Sequence, residues 1–146
     1  MPTIIPFHLQ QLEENSFHLF VEGTVNDIPC RILIDTGASK TVFDRAYLQA
    51  HKDAIQLTES EKLSSGLGTN TMKSEKAFIE NLAIGSMQLG SYEGAVLDLT
   101  HVNNSYNTLG LQPVHAILGN DILCRYQAVI DYKRGVLELD LPSIDR

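Results

Sequence analysis

Short apolar runs with a period of two recur along this chain, and turn-forming residues break them at short intervals. Phe17, Leu19 and Val21 alternate with polar neighbours. Asn26-Asp27 supplies a turn, and Cys30 to Ile34 runs back, so residues 16–37 read as a hairpin. The stretch "KAFIENLAIGSMQLGSYEGAVLDL", residues 76–99, reads as two or three strands with a turn at Gly85-Ser86. "AVIDYKRGVLELDL", residues 128–141, reads as a closing hairpin that turns at Lys133-Arg134-Gly135. Helical signals are fewer. Residues 44–53 form the best early candidate, with Asp44 as N-cap. A second short helix begins near Asn120, after the apolar strand and glycine of "AILG". The polar stretch 100–115 reads equally as a loop or a short helix. The expectation is one all-β domain carrying one or two short helices.

Composition narrows the picture. The chain has 146 residues, 43% of them hydrophobic, which suits one domain with a real core. Its net charge of −7, with scattered Lys and Arg, disfavours nucleic acid and anionic membranes as partners. There is no apolar run long enough for a membrane-spanning helix. The N-terminus lacks the basic and apolar regions of a signal peptide, so the cytoplasm is the default expectation. Cys30 and Cys124 sit among apolar neighbours and read as small core residues rather than a disulfide. The five histidines show no paired metal spacing, and each reads as a surface or half-buried side chain.

Candidate chemistry then centres on "RILIDTGASKTVFD", residues 31–44. "GASKT" is not a phosphate-binding loop, because Ile34 and Ser39 stand where that loop needs glycines. Asp35-Thr36-Gly37 alone could be a simple strand-ending turn. Its surroundings are more specific. Ile32, Leu33 and Ile34 precede the acid, and Ala38-Ser39 follow the glycine. "SGLGTN" (65–70) sits at the expected tip of a hairpin. "HAILGNDIL" (115–123) again places apolar residues before a glycine.

In that order and spacing, residues 16–140 resemble the retropepsin-like aspartic proteases, single-domain relatives of the pepsin fold. The resemblance implies that residues 1–146 form one such domain, a closed β-barrel with one lobe per chain. It implies an aspartic endopeptidase in which two carboxylates share a proton and activate a water, with no metal or organic cofactor. The chain holds one Asp-Thr-Gly. Asp98, Asp121 and Asp131 are followed by Leu, Ile and Tyr. The second Asp35 would therefore come from another copy, in a two-fold homodimer.

In the same family reading, Asp35, Thr36 and Gly37 form the catalytic motif. Thr36 bonds across the dimer, and Gly37 makes room for substrate. Ala38 and Ser39 line the cleft floor, and Gly66, Leu67 and Gly68 form a flap tip. Leu33 and Ile117 line apolar pockets beside the dyad, and an extended peptide or unfolded segment is the expected substrate. Two departures stand out. Viral relatives pair a charged residue two after the motif glycine with an arginine after the second glycine. Here those positions are Ser39 and Asn120, so a neutral hydrogen bond or Asp121 must supply the brace. The chain is also longer than compact viral members, with the extra length at 82–115 and in the C-terminal hairpin; viral dimers interleave their termini, and the sequence leaves open whether "VLELDL" does so. The alternative reading is a catalytically inactive peptide-binding or dimerisation module. The intact motif argues against it.

Overall fold

The computed structural model describes residues 1–63 and 73–142. Strands β1 (Thr3–Pro6) and β2 (His8–Glu13) come before the expected hairpin, which forms as β3 (Ser16–Val25) and β4 (Ile28–Ile34). Asn26 and Asp27 both take positive φ, 48° and 69°, and Val25 pairs with Ile28 across them. That two-residue turn matches the right-handed twist of the strands. Then follow β5 (Val42–Asp44), α1 (Arg45–Ala50), β6 (Gln56–Leu63), β7 (Lys73–Ile84) and β8 (Met87–Leu97). The chain closes with α2 (Thr100–Thr108), β9 (Ala116–Leu118), α3 (Asn120–Arg125), β10 (Val129–Asp131) and β11 (Val136–Leu139).

The order β3-β4-β9-β5-β8-β7, with β3 also paired to β7, closes a six-stranded barrel. The closing contact is tight at Gly23. A Cβ there would lie 2.4 Å from the Ala83 carbonyl oxygen, so a glycine is required. The barrel interior gathers Leu19, Val21, Cys30, Ile32, Ile34, Ala116 and Leu118. The alternate residues Phe20, Leu33 and Ile117 face the other way, toward Tyr106, Val102, Leu111 and Val114 in and after α2. Both faces of β3 and β4 are thus covered, one by the barrel core and one by α2.

The structure corrects the sequence expectation in several places. Three short helices form, and of the two readings of the polar stretch 100–115 the helix is the one that folds, as α2. Asp44 occupies the N-cap position of α1, but its side chain makes no cap bond. Its buried carboxylate accepts the Leu99 N–H at 3.1 Å instead. Cys30 is buried but Cys124 is exposed. Ile122 and Leu123 supply the inward face of α3, and Cys124 lies one step further round the helix.

The C-terminal hairpin belongs to a separate three-stranded sheet, ordered β1-β11-β10. Ile5 pairs with Leu137 and Ile130 pairs with the same residue from the other side. Both edges of β11 (Val136–Leu139) are therefore paired within its own chain. No helix among the described residues is long and apolar enough to cross a membrane.

Candidate active site at the ends of two parallel strands

Strands β4 and β9 run parallel, with Leu33 beside Ile117 and Ile34 beside Leu118. Each ends in a turn: Asp35-Thr36-Gly37 after β4 and Gly119-Asn120-Asp121 after β9. The two turns are tied together. The Asp35 N–H donates to the Leu118 carbonyl at 3.0 Å, and the Asn120 carboxamide donates to the Thr36 carbonyl at 2.7 Å. Backbone bonds continue the tie from Asn120 N–H to Ala38 C=O and from Asp121 N–H to Ser39 C=O. The neutral brace considered from sequence thus exists, and it comes from Asn120.

Asp121 does a different job. Its Oδ1 accepts from the Thr41 N–H at 2.9 Å and the Thr41 hydroxyl at 2.8 Å. Its Oδ2 accepts from the Tyr92 hydroxyl. The Thr41 hydroxyl in turn accepts the Gly119 N–H at 2.9 Å. Burial and then the Asp121 carboxylate push the Tyr92 phenol well above the ordinary tyrosine range. The result is a closed polar network under both turns.

Asp35 is half-buried, and Thr36 and Gly37 are exposed. The Gly37 N–H donates to Asp35 Oδ1 at 2.9 Å, and the Ala38 N–H donates to the Asp35 carbonyl. These bonds orient the carboxyl group and leave Oδ2 without a partner among the described residues. A pocket of about 280 Å³ opens beside it, lined by Leu33, Asp35, Thr36, His18, Phe17 and Tyr132, among others. Phe17 is 51% exposed and Tyr132 67%, large values for aromatic side chains.

Of the residues singled out from sequence, Leu33, Asp35 and Thr36 meet in this pocket. Ile117 adjoins Leu33 in the sheet and packs with it under α2. Gly37, Ala38 and Ser39 continue the turn outside the pocket. Gly66, Leu67 and Gly68 lie outside the described residues.

This fold and motif have relatives. A family model described as aspartyl protease matches residues 21–122. The chain belongs to the retropepsin-like aspartyl protease family. Protein DDI1 homolog 2 of Homo sapiens is 28% identical over 119 residues, which is 82% of this chain and 27% of that protein. The chain thus spans about a quarter of the length of the curated relatives it matches. A retropepsin-like aspartic protease from Rickettsia conorii superposes with a TM-score of 0.56 at 18% identity, over 97% of this chain and 91% of that one. The retroviral protease-like domain of Ddi1 from Leishmania major gives 0.52 at 17% identity, over 88% and 98%. Both likenesses speak for the fold.

Sequence reasoning missed His18, Phe17, Ile130 and Tyr132 as members of the pocket. For His18 a signal was present. The Asn26-Asp27 turn sets Phe20 against Leu33. The same register, carried two residues on, brings His18 level with Asp35.

Proposed function

We propose that this chain is an aspartic endopeptidase that works as a homodimer, with Asp35 of two copies forming the catalytic pair. The observation that carries this reading is the contrast between a rigid base and an open top at the Asp35 turn. Asn120, Leu118 and Gly37 hold the turn from its own chain. The Thr36 hydroxyl and Asp35 Oδ2 have no partner among the described residues, and the aromatic side chains of Phe17 and Tyr132 line the same pocket. Close by in the chain, β10 pairs with β11 alone among the described strands, so its other edge is open. Val129 on that strand is 50% exposed. An open edge and exposed apolar side chains suit a two-fold contact in which one surface meets its own copy.

In the dimer, one Asp35 carboxylate takes a proton from the bridging water. The other, protonated, donates to the scissile carbonyl as the water oxygen attacks. The tetrahedral intermediate collapses when a carboxyl group protonates the leaving amine. Gly37 leaves room for the peptide backbone. Leu33 and Ile117 offer apolar walls, and Ala38 and Ser39 extend the floor. An extended peptide or unfolded segment binds as an added strand. Water is the nucleophile, so the reaction calls on no cofactor.

Asp35→Asn tests the reading, since Asn keeps the shape and removes the carboxylate. In a peptide-library assay from acidic to neutral pH, kcat/KM is expected to drop by about 10³-fold or more with the fold intact. Cleavage at the wild-type rate would remove Asp35 from the chemistry. Peptide binding without cleavage by the wild-type protein would return the chain to a binding role.

A further inference from the structure

We infer that His18 is a specificity-determining residue of the Asp35 pocket, donating a hydrogen bond from Nε2 to an acceptor oxygen on a substrate side chain. This rests on the peptidase reading above and refines it. The apolar walls alone would select hydrophobic side chains, and His18 adds a polar side chain on the β3 side of the pocket.

The first support is position. His18 is half-buried on β3 and lines the same pocket as Leu33, Asp35 and Thr36. The second is a fixed ring. His18 Nδ1 lies 2.7 Å from the Tyr106 hydroxyl, and the two rings meet edge to face at 5.7 Å. Phe20 adds a tilted contact at 6.4 Å. Tyr106 is 2% exposed and is the buried residue of α2. An imidazole held on two sides loses little further freedom when it binds.

The third support is the direction of that hydrogen bond. Suppose Nδ1 were the donor. The Tyr106 O–H would then need another acceptor, and the described residues supply none. With Tyr106 donating to Nδ1, both groups are satisfied. Burial, with a smaller contribution from Asp35, pushes the phenol up to about 12 although Arg31 pulls the other way, so the O–H keeps its proton. The remaining imidazole proton then sits on Nε2. That atom has no protein partner among the described residues, so His18 keeps a donor for a ligand. A site built around a fixed donor discriminates against a substrate lacking the acceptor, because the N–H then stays unpaired in the complex. The matching side chain has an aliphatic stem and a terminal oxygen, a carboxamide or a carboxylate.

The test uses peptides that differ only in having Gln, Glu or Met beside the scissile bond, on each side in turn. These three side chains are nearly equal in length. Wild type is expected to favour Gln or Glu over Met by about tenfold in kcat/KM at one of the two positions. The two oxygen-bearing arms separate a neutral acceptor from a charged one. In His18→Ala that ratio falls to about one. His18→Gln, which keeps a neutral donor, retains part of it. Tyr106→Phe frees the ring, and the ratio lands between wild type and His18→Ala. Equal rates for all three peptides in wild type, or a ratio unchanged in His18→Ala, overturns the inference. Binding of the same peptides, read by fluorescence anisotropy, separates the two levels of the argument. A Gln or Glu preference in binding with no cleavage sinks the peptidase reading and leaves the role of His18 standing. Cleavage without the preference does the reverse.

Discussion

The two turns at the ends of β4 and β9 begin from the same local design and finish differently. Each follows an apolar parallel strand, contains a glycine and carries an aspartate. The Gly119 turn is saturated by its own chain. Asp121 accepts from Thr41 and Tyr92, and the Gly119 N–H ends on the Thr41 hydroxyl. The Asp35 turn receives support only from below, and its outer polar atoms face a pocket. Saturation marks a residue that serves the fold. Incompleteness on a well-braced turn marks one that serves something outside the single chain.

The sharpest way to break this comparison is to add one methyl group to each glycine. A Cβ at Gly119 would fall 2.6 and 2.7 Å from the Lys40 carbonyl group and 2.9 Å from the Ala38 carbonyl oxygen. These are backbone atoms, which cannot rotate away. Gly119→Ala is expected to cost at least about 3 kcal/mol in urea denaturation. At Gly37 the added Cβ meets, among the described residues, only Asp35 Oδ1, at 3.2 Å. Gly37→Ala should lie within about 0.5 kcal/mol of wild type while lowering kcat/KM. Equal destabilisation at both positions would erase the distinction.

The aspartates form the next pair. Asp121→Ala leaves the Thr41 N–H, the Thr41 hydroxyl and the Tyr92 hydroxyl without their acceptor. A loss of about 2–3 kcal/mol is expected. Asp35→Asn, measured at a protein concentration low enough to exclude dimer linkage, should change stability by less than about 0.5 kcal/mol. A large loss at Asp35 would mean that its carboxylate serves the fold after all.

What the sequence made legible is local. The Asn26-Asp27 hairpin, the Asp35 turn and the glycine turn after "AIL" all depend on alternation and turn chemistry within a few residues. What it hid depends on distant partners. Phe20 and Val21 are both 1% exposed, although adjacent strand residues point to opposite faces. Such a strand must be covered twice, yet the second cover, α2, is polar along most of its length and buries Tyr106. The pairing of β1 with β11 joins the two ends of the described chain, and no nearby residue announces it. Cys124 misled because its neighbours in sequence are apolar, while its direction is set by helix geometry.

The finest separation of the two turns lies between their threonines. Thr41 is 2% exposed, and its hydroxyl both donates and accepts within the chain. The Thr36 hydroxyl is exposed, and among the described residues only the Thr36 backbone carbonyl is engaged from this side of the chain, by Asn120. Valine has nearly the shape of threonine and lacks the hydroxyl. Thr36→Val should therefore leave monomer stability within about 0.5 kcal/mol of wild type. If the two Thr36 side chains bond across the two-fold axis, the dimer loses two equivalent hydrogen bonds at once. With about 1 kcal/mol for each, its dissociation constant should rise about thirtyfold in sedimentation equilibrium. An unchanged constant would remove Thr36 from the interface and place the two-fold contact elsewhere on the exposed surface around Phe17, Val129 and Tyr132.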